Sequence, residues 1–91
     1  MQDGPNILVV SDATGATANS VLTSVLVQFR GAHINIRRYP FIRSDAQIEK
    51  IVADAPPGEC LVVYTLVSSD LRALLRRRGE ERGWRLLDVM G

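Results

Sequence analysis

Apolar residues arrive along this chain in two rhythms. The runs NILVV (Asn6 to Val10) and CLVVYTL (Cys60 to Leu66) are continuously aliphatic, the pattern of a strand buried on both faces of a parallel sheet. HINIRRYP (His33 to Pro40) alternates instead, with Ile34, Ile36 and Arg38 sharing a face, and Pro40 ends the ladder because it has no N–H to donate. WRLLDVM (Trp84 to Met90) is a weaker, mixed version of the same signal. Four strands are predicted.

Between them the period lengthens. Ala18, Val21, Leu22, Val25, Leu26 and Phe29 follow one another at three- and four-residue spacing, one stripe of an amphipathic helix that Gly31 ends. A second helix opens at SDAQ, where Ser44 and Gln47 have the spacing of a capping box. Its buried face is Ile48, Ile51, Val52 and Ala55, and PPG breaks it. Ser68 or Ser69 caps a third helix with Leu71, Leu74 and Leu75 inward. Its later part, RRRGEERG, reads as a solvated face on which Arg76 meets Glu80 and Arg77 meets Glu81, not as a nucleic-acid patch.

The order β-α-β-α-β-α-β with helical crossovers predicts an α/β fold: a three-layer, mainly parallel four-stranded sheet in order 2-1-3-4, flavodoxin- or Rossmann-like. One α/β domain spans residues 1–91. In that order the first helix alone covers one face of the sheet. That face is expected to be undercovered and to be completed by chain beyond Gly91 or by a second copy, so a homodimer is among the expected partners.

Composition narrows the function classes. With 46% hydrophobic and 23% charged residues the chain has the make-up of an ordinary globular domain, and 11 basic against 10 acidic residues give no electrostatic case for nucleic acid or an anionic membrane. Cys60 and His33 are the only residues of their kinds, which excludes an internal disulfide and a zinc site of ordinary Cys/His spacing. A secretory leader pattern is absent from MQDGPN, and no apolar run approaches the ~20 residues that span a bilayer. A cytoplasmic location is expected.

The candidate chemistry is in SDATGATA (Ser11 to Ala18), where the first strand hands over to the first helix. Ligands of open parallel sheets bind beyond the carboxyl ends of the strands, against helix N-termini. Ser11, Thr14 and Thr17 offer hydroxyls, Gly15 leaves room for an anion, and Asp12 opposes one unless a cation offsets it. Arg38 and Arg43 of RRYPFIR, at the same end of the neighbouring strand, could supply that charge. Against this stands a plainer alternative, in which Asp12 or Thr14 caps the helix, Gly15 permits tight packing, and the arginines bridge to Asp12 and Asp45. The loop has neither GxxxxGK[ST] nor GxGxxG, and no nucleophile–base pair is visible, since Cys60 and His33 begin their strands at the opposite end. No catalytic residue and no metal site is assigned.

The stretches ILVVSDATGATA, RRYPFIRSDAQIEKIV, LVVYTLVSSDLRALL and LLDVMG resemble, in order and spacing, the N-terminal region of the regulatory proteins of phosphoenolpyruvate synthase and pyruvate phosphate dikinase. The resemblance covers essentially the whole chain, and S-D-x-T-G-x-T-A and R-R-Y-P-F-I-R are its most specific parts. It implies a bifunctional parent: an ADP-dependent kinase that phosphorylates a threonine of the dikinase and a phosphate-dependent pyrophosphorylase that removes the group. ADP, phosphate and magnesium are then cofactors of the parent, whose phosphate-binding loop lies downstream of the region matched here, and the dikinase is the partner. The loops Ser11 to Thr17 and Arg37 to Arg43 become the expected functional surface for anion or partner binding. The rival expectation is a stand-alone anion-binding or interaction module.

Overall fold

The computed structural model describes residues 6–13, 20, 35–56 and 58–89. Among the described residues, four strands and two helices can be given bounds: β1 (Asn6–Ser11), β2 (Asn35–Tyr39), α1 (Asp45–Asp54), β3 (Cys60–Thr65), α2 (Ser69–Arg82) and β4 (Arg85–Asp88). The strands form one sheet in the order β2-β1-β3-β4, every pair parallel. The helix expected over residues 18–29 and its Gly31 stop lie, apart from Ser20, outside the described residues, as does His33.

Continuous apolar runs make the two central strands, because a strand with neighbours on both edges and layers on both faces has no solvated side. On one face Leu8, Val10, Val62 and Tyr64 pack with Ile48 and Ile51 of α1 and with Leu71 and Leu75 of α2, all at most 7% exposed. On the other, Ile7, Val9 and Val63 are buried, with Ile36, Leu61 and Val89 packed against them. Burying a side chain of this size stabilises the fold by about 1.5–3 kcal/mol before entropy is counted. The expected bare face is therefore covered at its centre. On that face Leu87, in register with Val63 on the β4 side, is 41% exposed, and Arg38 on the β2 side is exposed as well.

Both helix starts follow the sequence. The Ser44 hydroxyl accepts from the Gln47 amide at 3.3 Å while the Gln47 side chain accepts from the Ser44 amide at 3.1 Å, completing the capping box. Ser68, rather than Ser69, caps α2 through the Leu71 amide. At the other end Gly83 turns the chain left-handed at φ 74°, a conformation that would strain a residue with a Cβ. Gly79 faces Leu86 so closely that an added Cβ would lie 2.9 Å from Leu86 Cδ1, so its missing side chain lets α2 settle on β4.

The charge run of α2 behaves differently from its spacing. Arg78, not Arg76 or Arg77, makes the ion pairs, to Glu81 at 3.1 Å on its own helix and to Glu49 of α1 at 3.0 Å. Arg76 and Glu80 instead share a groove with Tyr64, Trp84, Leu86 and Asp88. The i,i+4 arithmetic failed because α1 lies alongside α2 and offers Arg78 a second carboxylate, which no single-helix pattern contains.

Candidate functional site

The carboxyl ends of β1 and β3 meet at two buried hydroxyls. Ser11 and Thr65 are in register, 2% and 6% exposed, and the Thr65 hydroxyl donates to Ser11 Oγ at 2.9 Å. Ser11 Oγ also accepts from the Ala13 amide at 3.0 Å, which turns the chain out of the strand. Ser11 thus shapes the loop from beneath it.

Asp12 then joins two loops. Its carboxylate accepts from the Val67 amide at 2.8 Å, tying the end of β1 to the β3–α2 connection. Its carbonyl accepts from Arg43 Nε at 3.4 Å and Nη2 at 3.2 Å, tying the same residue to the β2–α1 connection. The bridge from Arg43 expected at the Asp12 carboxylate forms instead at the main-chain oxygen.

The β2–α1 connection is laid across the β1 loop by three consecutive residues. Phe41 donates its amide to the Ala13 carbonyl at 3.0 Å, Ile42 its amide to Ser11 at 2.9 Å, and Arg43 its guanidinium to Asp12. Ile42 is buried and fixes the segment to the core. Phe41 is the only non-glycine residue with positive φ, 59°, among those described, and its ring is 54% exposed. A bulky residue held there costs on the order of 1–3 kcal/mol, which the surrounding bonds must offset. Gln47 supplies several: Nε2 donates to the Phe41 carbonyl at 3.3 Å, and Oε1 accepts from the Arg43 amide at 2.6 Å. Just upstream, the Tyr39 hydroxyl is buried without a hydrogen-bond partner among the described residues.

Of the site residues expected from the sequence, Ser11, Asp12 and Arg43 come together at this edge. Thr14, Gly15 and Thr17 lie outside the described residues. Arg38 is opposite Val9 in the β1–β2 register and two residues from Ile36, which places it on the sheet face away from α1 and α2. Arg43 reaches the β1 loop across the edge itself, so the two arginines approach from different directions. Lys50 lines a groove of about 360 Å³ between β2 and α1, whose β2 rim includes Arg38 and Tyr39 and which Ile42 and Gln47 also line. Cys60 is buried at the other end of the sheet, its thiol donating to the Pro56 carbonyl at 3.8 Å and pushed above its ordinary pKa by desolvation.

Residues that the sequence left unremarked complete the edge. Val67, 66% exposed, is held at its amide by Asp12, and Arg72 reaches back from the first turns of α2 to the Leu66 and Val67 carbonyls at 3.2 and 3.4 Å. Nothing in the local pattern marks either one, because their partners lie in other segments or in main chain.

Arg43 spends two of its N–H groups on Asp12 and keeps Nη1 for a further acceptor. The edge can thus take an anion or a polar partner group. Among the described residues no group of three or more His, Cys, Asp or Glu is gathered to hold a metal ion, and no helix is long and apolar enough to cross a membrane.

The kinase/pyrophosphorylase family model matches residues 7–91. Proteins named pyruvate, phosphate dikinase regulatory protein are similar to the chain: one from Desulfitobacterium hafniense is 33% identical over 96% of this chain and 32% of its own length, and one from Lysinibacillus sphaericus is 40% identical over 93% and 32%. A third, from Carboxydothermus hydrogenoformans, is 34% identical over 96% of this chain and 31% of its own. The chain spans about a third of the length of these curated relatives. With the family model covering nearly all of it, the chain belongs to the kinase/pyrophosphorylase family.

Proposed function

We propose that this chain is the recognition module of a regulator that reversibly phosphorylates a threonine of pyruvate phosphate dikinase or phosphoenolpyruvate synthase, in the cytoplasm, with ADP as phosphoryl donor for the kinase reaction and phosphate as acceptor for the pyrophosphorylase reaction. The observation that carries it is the convergence of two β–α connections on Asp12, which leaves Arg43 with donors to spare at the carboxyl edge of a parallel sheet. The names of the relatives supply the dikinase as the partner.

The residues present do not fit an ADP–magnesium site. The chain has no GxxxxGK[ST], and its one lysine lies in the groove beside α1. No step through the nucleotide is therefore derived from these residues; their contribution is to bind and orient. Phosphate fits the edge better, through Arg43, provided the Asp12 carboxylate stays engaged with Val67. Copies of the chain would associate through the Leu87 side of the sheet, which a dilution series in the analytical ultracentrifuge reads directly.

Isothermal titration of phosphate, pyrophosphate and ADP into wild type, Arg38→Ala and Arg43→Ala tests the site. Phosphate or pyrophosphate should bind wild type and weaken on Arg43→Ala; equal, negligible binding throughout removes the anion site. Incubated with dikinase, ADP and magnesium, or with phosphorylated dikinase and phosphate, the 91-residue chain should show no turnover. Turnover that survives removal of contaminating enzymes would place the chemistry within these residues.

A further inference from the structure

We infer that Phe41 and Val67, with Arg43 and Arg72 beside them, form a docking surface for an acidic, apolar-tipped segment of the dikinase. The inference rests on the proposed role as a dikinase regulator and adds to it which side chains meet the partner and what the partner must present.

Among the described residues the large apolar side chains left exposed are Phe41, Val67 and Leu87. The first two belong to the carboxyl edge, on either side of the β1 loop: Phe41 is bonded to Ala13, and Val67 to the adjacent Asp12. Neither ring nor isopropyl group serves the core. Their backbones are nonetheless fixed at both ends, Phe41 by Ala13 and Gln47, Val67 by Asp12 and Arg72. Apolar groups held rigidly in water lose little freedom when a partner covers them, and aromatic and arginine side chains are the usual anchors of such contacts. The left-handed backbone at Phe41 points the same way. A glycine would satisfy that conformation without strain, and the chain carries an exposed phenyl ring there instead.

Charge identifies the partner's chemistry. Arg43 and Arg72 bond only to main-chain carbonyls and have no carboxylate within ion-pair distance among the described residues. The Asp12 carboxylate accepts from the Val67 amide, Asp45 and Asp70 sit in the first turns of α1 and α2, where the positive helix ends stabilise them, and none of the three pairs with Arg43 or Arg72 among the described residues. The edge therefore offers two guanidinium groups without a carboxylate partner among the described residues, together with two apolar contacts, which suits a segment carrying carboxylates around an apolar side chain.

The test is binding of purified pyruvate phosphate dikinase, and separately phosphoenolpyruvate synthase, to immobilised wild type, Phe41→Gly and Val67→Ser, each variant also melted. One of the two enzymes should bind, more weakly as sodium chloride rises. Affinity should fall at least tenfold in both variants, while the Tm of Phe41→Gly stays level or rises because glycine relieves the backbone. Wild-type affinity in either variant overturns the inference and leaves the regulatory role standing. A lower Tm for Phe41→Gly makes the ring structural, and Val67→Ser then decides: retained binding there overturns the docking surface. Salt-insensitive binding overturns the acidic partner, and no binding of either enzyme to wild type overturns both the inference and the role on which it rests.

Discussion

The two β–α connections at the carboxyl edge do the same topological work at different local cost. Each carries the chain from a parallel strand to a serine-capped helix, and each is tied to Asp12. The β3–α2 connection is relaxed, with Thr65 bonded beneath it, Leu66 buried and Val67 held at both its amide and its carbonyl. The β2–α1 connection holds Phe41 left-handed, and at its root, the last residue of β2, the Tyr39 hydroxyl is buried without a partner among the described residues. Unfavourable features persist only where the surroundings over-determine them, and they cluster where function is selected. Their concentration in one connection singles out Phe41 and its neighbours as the surface maintained at a cost to stability.

If both connections hang from buried anchors, removing either anchor should cost about the same. Ile42→Ala and Leu66→Ala are each expected to lose about 2–4 kcal/mol in urea unfolding, since both side chains are buried at 5% exposure or less. A loss under about 1 kcal/mol for Ile42 alone would mean that the first connection is held by its hydrogen bonds and not by packing. Asp12→Ala comes next, at about 1–3 kcal/mol, because it strips the Val67 amide of its acceptor. It also separates the connections: hydrogen exchange should quicken at Val67 and stay slow at Phe41, whose acceptor is the Ala13 carbonyl. Equal quickening at both would show that Asp12 couples them through more than its carboxylate.

Tyr39→Phe should stabilise the protein by about 1 kcal/mol, since it removes a buried hydroxyl that finds no partner. A destabilised Tyr39→Phe would show that the hydroxyl is satisfied, and the contrast between the connections would shrink to Phe41.

The smallest effect lies away from the edge. Arg78 holds the Glu49 carboxyl below its ordinary pKa, chiefly by hydrogen bonding. A carboxyl depressed on folding contributes stability that is present above its unfolded pKa and lost as pH falls through the folded one. The Glu49 carboxyl is solvent-exposed and the Arg78 side chain only half-buried, so the contribution is small. Arg78→Gln should therefore flatten the acid limb of the stability curve slightly and leave exchange at Phe41 and Val67 unchanged. An identical acid limb would remove Glu49 from the account of acid stability.

Strand order, parallel pairing and the Ser44 cap were legible along the chain, and the other cap was narrowed to Ser68 or Ser69, because burial on two faces and capping leave patterns in the sequence: NILVV and CLVVYTL state their environment, and Ser44 and Gln47 sit three residues apart. Ser11, Asp12 and Arg43 were legible as candidates for the same reason, since the carboxyl end of a parallel strand is known once the strand is. Their bonding was not. Asp12 could be read as a helix cap or as an obstacle to an anion, and it became the joint between two connections only when β3 placed the Val67 amide 2.8 Å from its carboxylate. Arg78 took its partner across the helix pair, and Phe41 went left-handed because Ala13, Gln47 and the buried Ile42 fix the backbone on both sides of it. A pattern along one chain reports which face is wet, since water acts on every residue alike. Which carbonyl meets which donor depends on where separate segments come to rest, and packing alone settles that.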